Sequence, residues 1–198
     1  MTGVRLDNTV AEYLIRLKAA IDAMPVDRIA AMGDVLYRAY RHNKQIFIIG
    51  NGGSAATASH MACDLGMNTI APHRLRFRVF SLTDNTPLIS ALANDVGYDR
   101  VFAEQLTNLI RPGDVLISIS GSGRSPNIIE AMRYARARSA TNLALLGCDG
   151  GEAIDLADAH VLVPSSEYGI IEDLHLVVDH MLTAYFKERV QEDEWTSP

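Results

Sequence analysis

The chain has 198 residues, 48% of them hydrophobic and 21% charged, with a formal net charge of −6. That length suits one domain with a substantial core, and the composition is that of an ordinary globular protein, which excludes a disordered or membrane-spanning class. The acidic balance excludes a nucleic-acid surface of the usual basic kind, and the short cluster Arg74, Arg76 and Arg78 does not overturn this.

In chain order, apolar residues first recur at helical spacing over 8–23 (Val10, Leu14, Leu17, Ile21) and again from Val26 to Arg41, after Met24-Pro25. They predict two leading helices. From residue 45 onward short β-rich runs alternate with helical patterns: Ile46 to Ile49, Phe77 to Leu82, Val115 to Ser120, Leu143 to Leu146 and His160 to Val163. Five strands with helices between them predict an α/β fold, a five-stranded parallel sheet flanked by helices. The runs "QIFIIG" and "DVLISIS" are almost unbroken apolar stretches, as central strands covered on both faces require. After Pro164, Ile171, Leu174, Val177, Val178, Met181 and Leu182 hold a helical period and predict a long C-terminal helix. With the leading helices it offers more apolar face than the sheet's flanks can cover, so a homo-oligomer is expected. No repeat or linker divides the chain, and residues 1–198 read as one domain, with 1–43 a helical extension and 44–198 the α/β core and C-terminal helix. The two cysteines, Cys63 and Cys148, lie far apart and read as small buried thiols in a reducing cytoplasm. No long apolar segment suggests a targeting or membrane-spanning sequence, which agrees with that location.

Two loops that leave predicted strands carry chemistry. "GNGGSA", from Gly50, is a glycine turn opening a helix, where free backbone N–H groups and the helix dipole receive anions. No Lys follows it, so it is not a nucleotide P-loop. Gly50, Gly52 and Ala55 match the loose form of the dinucleotide fingerprint, but the ribose-binding acid expected about 20 positions on is missing: Asp84 stands 34 residues after Gly50. The second loop, "SISGSGRSPN" (118–127), offers the hydroxyls of Ser120, Ser122 and Ser125, while Gly121 and Gly123 allow close backbone approach. It reads as a phosphate cradle that needs no lysine, against the plainer alternative of a capped strand-to-helix turn. The pair of loops suits a small phosphorylated substrate better than a dinucleotide.

His60 and Asp64 stand four apart and share a helix face, where they can hold a proton or a metal ion, or form a plain surface pair. The C-terminal helix adds Glu172, Asp173, His175, Asp179 and His180. Glu172 and His180 are about 80° apart around a helix and can reach one cleft, whereas His175 and Asp179 read as a structural pair. Asn94 and Asp95 before Gly97 read locally as a capped turn, with recognition of polyol hydroxyls as the functional alternative.

Five blocks in order, "GNGGSAATASHMACDL", "LANDVGYDRVFAEQL", "RPGDVLISISGSGRSPNIIEAM", "DGGEAIDLADAHVLVPS" and "EDLHLVVDH", resemble the sugar-isomerase (SIS) domain proteins of the phosphoheptose isomerase type. The resemblance implies a flavodoxin-like SIS fold and an aldose–ketose isomerase interconverting sedoheptulose 7-phosphate and D-glycero-D-manno-heptose 7-phosphate, working as a homotetramer with active sites at subunit contacts. It implies that Asn51, Gly52, Gly53 and Ser54 contact the substrate, that Ser120, Gly121, Ser122 and Ser125 hold the phosphate, and that Asn94 and Asp95 recognise hydroxyls. It places the family's metal-and-base set on His60, Asp64, Glu172 and His180, with one Zn²⁺ per subunit, Asp64 or Glu172 as base and His180 as acid/base partner. Asp64 stands where the family has Glu, and Glu172 where it has Gln. Two imidazoles and two carboxylates still suit zinc, but the substitutions keep a different sugar phosphate open. A non-catalytic SIS module that binds a phosphosugar or a protein partner is the rival from another class, and such a module has no need of two histidines with two carboxylates.

Overall fold

The computed structural model describes residues 5–192. Helices α1 (Leu6–Asp22) and α2 (Val26–Arg41) lead, and Pro25 stands just ahead of α2, where its missing N–H costs no helical hydrogen bond. Then come β1 (Gln45–Gly50), α3 (Gly53–Cys63), β2 (Arg78–Ser81), α4 (Thr86–Asp95) and α5 (Val101–Leu109). They are followed by β3 (Val115–Ser120), α6 (Pro126–Ala137), β4 (Thr141–Leu146), α7 (Ala153–Leu156), β5 (Ala159–Leu162) and α8 (Tyr168–Glu192). The two leading helices, the long last helix and all five strands fall where the periodicity predicts them, with strand ends moved by one or two residues. Phe77 and Leu82, expected in β2, are buried just beyond its ends, and the Leu82 amide still donates to the Ile48 carbonyl of β1 at 3.0 Å.

All strand pairs are parallel, in the order β2-β1-β3-β4-β5, which is the flavodoxin-like winding. Alternate residues of each strand feed opposite cores. Ile46, Ile48, Ile117 and Leu145 face α2, α3 and α8, while Phe47, Ile49, Leu116 and Leu146 face α5 and α6. The helix that follows β1 therefore lies on one face and the helix that follows β3 on the other. Because β1 and β3 are neighbours, with Gly50 registered against Ile119, the loops beyond them part side by side at the switch point, where open α/β sheets hold ligands.

The cysteines differ from expectation: Cys63 is exposed and Cys148 half-buried. Cys63 ends α3 beside β2, which is an edge strand of the sheet among the described residues. Among the described residues no helix is long and apolar enough to cross a membrane.

Candidate active site

The glycine turn and the serine loop close on a pocket of about 160 Å³ lined by Asn51, Ser54, Ser120, Ser122, Ser125 and Glu172, with Gly121 and Tyr168 also on its wall. Its shape is set by backbone-directed hydrogen bonds. Ser120 Oγ accepts from the Gly123 amide at 3.0 Å and Ser122 Oγ from the Arg124 amide at 3.3 Å, which curls the loop around its own hydroxyls. Ser125 stands at the N-cap of α6, where its carbonyl accepts from the Ile128 and Ile129 amides, but its side chain makes no capping bond and its hydroxyl is left for the pocket. Pro126 at the first position of α6 fixes the helical start without needing a donor.

Neighbouring segments brace the two loops. Asn51 and Asn127 exchange amide hydrogen bonds at 2.8 and 2.9 Å, linking the glycine turn to α6, and the Tyr98 hydroxyl donates to Asn51 Oδ1 at 3.0 Å. Arg124 donates to both carboxylate oxygens of Asp149 at 2.6 Å, tying the serine loop to the segment after β4. That guanidinium holds the Asp149 carboxyl well below the usual carboxylate range. The start of α8 descends onto both loops. A Cβ on Gly121 would come within 2.9 Å of the Tyr168 ring, and one on Gly53 within 2.5 Å of the Glu172 carboxylate. Glycine at these two places is what lets α8 approach.

Below the pocket, α3 and α8 run side by side in the same direction. Gly53 meets Glu172 at one level and, seven and eight residues further along, His60 meets His180. The Nε2 atoms of His60 and His180 are 3.1 Å apart, and Asp64 Oδ2 lies 3.5 Å from the first and 3.9 Å from the second. Asp179 joins them, so that one donor atom from each of the four residues lies within 4.8 Å of the others. The imidazoles are about half exposed, at 47% and 54%, while Asp64 at 13% lies beneath them. Tetrahedral zinc with Zn–N bonds of roughly 2.0–2.1 Å spaces two nitrogens by about 3.3 Å, so the converging imidazoles and carboxylates fit such an ion.

Asp179 has no solvent exposure, and its Oδ2 has no hydrogen-bond partner. Burial, with the Asp64 carboxylate adding to it, pushes its carboxyl up to about 7. The expected His175–Asp179 pair does not form: both His175 nitrogens lack a hydrogen-bond partner. Asp179 turns toward the histidine group, while His175 turns into the protein, where burial drives its imidazole down to about 4 and the facing Leu146 carbonyl only partly offsets this.

The structure thus brings Asn51, Ser54, Ser120, Gly121, Ser122, Ser125 and Glu172 to one pocket, and His60, Asp64 and His180 to one cluster. Gly52 and Gly53 form the turn between them, Gly52 with φ +56°. Glu172 is outside the four-residue cluster. Asn94 and Asp95 are exposed at the end of α4, hydrogen-bonded to each other at 2.7 Å, and do not line the pocket; Tyr98 makes the link from their loop to Asn51. Tyr98, Asn127 and Tyr168 escaped the sequence reading, and Asp179 reads there as a structural partner of His175 and not as part of the site. Only Asp179 had a usable signal, since it stands seven residues from Glu172 and so on the same stripe of α8.

Comparison with known proteins places these features. Residues 11–147 match the SIS domain family. The chain is 39% identical to the phosphoheptose isomerase of Nitratiruptor sp., over 78% of this chain and 82% of that one. It is 34% identical to the phosphoheptose isomerase of a Bradyrhizobium sp., over 94% of this chain and 96% of that one. The solved structure of the phosphoheptose isomerase from Neisseria gonorrhoeae superposes with a TM-score of 0.85 at 30% identity, covering 93% of this chain and all of that one, 100%.

Proposed function

Because the chain belongs to the SIS domain family, with phosphoheptose isomerases as relatives over most of its length, we propose that this sugar phosphate isomerase interconverts sedoheptulose 7-phosphate and D-glycero-D-manno-heptose 7-phosphate. The observation that carries the reading is the ordered run of groups along α3 and α8: hydroxyls and amides at the loop end, then Glu172, then the His60–His180 cluster. A phosphate held by Ser120, Ser122 and Ser125 near the start of α6 lays the open chain of the sugar past Glu172, with its carbonyl end toward the imidazoles. The loop end supplies binding energy that fixes the position of the reacting carbons.

The reaction moves a proton between adjacent carbons through an enediol. Glu172, as general base, takes the proton beside the carbonyl and returns it to the former carbonyl carbon, while His180, as acid/base partner, passes the hydroxyl proton from one oxygen to the other. Asp64 is already engaged beside both histidines, which leaves Glu172 in that role. A Zn²⁺ held by His60, Asp64 and His180, one per subunit, would polarise the carbonyl and stabilise the oxyanion. Asn94 and Asp95 are exposed and do not line the pocket, and we assign their recognition of hydroxyls to a neighbouring subunit's site in a cytoplasmic homotetramer.

The test is a panel of ketose phosphates from C5 to C8, assayed on chelator-treated protein with and without added Zn²⁺. The expected outcome is turnover highest on the C7 substrate and restored by the metal. Full activity without metal would remove the cation from the reaction, and no turnover of any member would sink the assignment of substrate class.

A further inference from the structure

Resting on the reading of His60, Asp64 and His180 as a cation site, we propose that the fourth ligand is Asp179, and that Glu172 stays uncoordinated in the serine-loop pocket. Asp179 is fully buried, yet its Oδ2 touches no donor, and its Oδ1 receives only a 3.4 Å bond from the Thr183 hydroxyl. A carboxylate buried without partners costs several kcal/mol in general, and native folds rarely carry that cost without a compensating group. Its neighbours within reach are two histidine nitrogens and a second carboxylate. Two neutral imidazoles and two carboxylates balance a divalent cation in charge and match zinc in ligand type. The cation is the partner that the orphaned oxygen lacks.

Glu172 is poorly placed for the same job. It stands seven residues before Asp179 on α8, about 10.5 Å along the axis at 1.5 Å per residue, and its carboxylate is lodged against Gly53 at the start of α3. It lines the pocket, whereas Asp179 does not, and it lies outside the group whose donor atoms converge. Glu172 and Asp179 thus divide the work by depth, the half-buried one facing substrate and the fully buried one facing the ion.

The experiment measures metal binding itself. Full-length protein is stripped with a chelator, titrated with Zn²⁺ by calorimetry, and titrated with Co²⁺ while the visible absorption of the ion is recorded, for the wild type, Asp179→Asn and Glu172→Gln. The wild type should bind one ion per subunit, Glu172→Gln should bind within about threefold of it with the same Co²⁺ spectrum, and Asp179→Asn should lose roughly 100-fold in affinity and the strong four-coordinate band. Thermal unfolding of the metal-free proteins checks the fold, and if Asp179→Asn does not fold, Asp179→Leu, which replaces the carboxylate by an apolar group of the same branching, is read in the same way. Wild-type affinity in the Asp179 variants, with the loss appearing in Glu172→Gln, overturns the proposal and leaves the cation site standing. A wild type that binds neither ion overturns both.

Discussion

His175 lies on α8 with no solvent exposure, and neither ring nitrogen finds a hydrogen-bond partner. Burial favours the neutral ring and lowers its pKa from 6.5 to about 4. The sign follows from linkage: between these values the unfolded chain binds a proton that the folded one does not, so stability falls as the pH drops from 6.5 toward 4. A depression of that size is worth about 3 kcal/mol in total at roughly 1.4 kcal/mol per pKa unit. Asp179 acts in the opposite sense, since its folded carboxyl holds its proton up to about 7, but it is common to both proteins compared and cancels. Urea unfolding of metal-free wild type and His175→Leu from pH 4.5 to 7.5 should show the variant losing the acid-side decline, with equal or greater stability at pH 5 because no polar group is left orphaned. Parallel stability curves for the two proteins would mean that His175 is not held neutral by the fold.

At the scale of elements, the contact of α3 with α8 organises the site, and its closest point is Gly53 against Glu172. Alanine at 53 is a better helix former than glycine by about 1 kcal/mol, and Gly53 does not occupy the left-handed region, so the substitution does not threaten the helix. Its Cβ would stand 2.5 Å from the Glu172 carboxylate, which must move. Gly53→Ala is therefore expected to keep its thermal midpoint within a few degrees while kcat falls by about tenfold or more, as positioning losses of an ångström do. An unchanged kcat would show that Glu172 does not need its present place. Beyond Cys63 the α3 hydrogen bonding widens into a π-helical turn, Asp64–Asn68, which begins at the carboxylate under the two histidines. Such turns frequently occur at functional sites.

At the scale of the whole molecule, α1 is attached mainly through its inner side. Tyr13 donates to Asp173 on α8 at 2.6 Å, a bond that pushes the phenol up to about 12, and Arg16 pairs with Glu167 at 2.8 Å. The opposite side leaves Leu14 57% and Ile15 69% exposed, and a groove of about 280 Å³ between α2 and α8, walled by Val26, Met181 and Tyr185, is also open. Apolar surface of this kind on a chain with a well-filled core fits burial between subunits. Light scattering at micromolar concentration should return four times the mass of one chain, and Leu14→Glu should shift the protein to smaller species with reduced turnover. A monomeric wild type would remove self-association from the account of the site.

The alternation of strands and helices was legible in the sequence because side-chain period and turn chemistry are local properties. The same holds for the serine loop and for the stacking of His60 with Asp64, since residue type and spacing on one element specify them. How the elements meet was not legible in that way. Glu172 and Asp179 share one stripe of α8, and the helical period alone cannot tell which of them reaches the histidines of α3. The expected His175–Asp179 pair had the correct spacing but failed because packing turned one side chain into the protein and the other toward the cluster. Tyr168, Tyr98 and Asn127 likewise reach the site only through contacts that cross the fold. The sequence by itself determined the elements and the chemical groups they carry. Tertiary packing alone decided which groups converge, because depth and facing depend on the helix packed opposite.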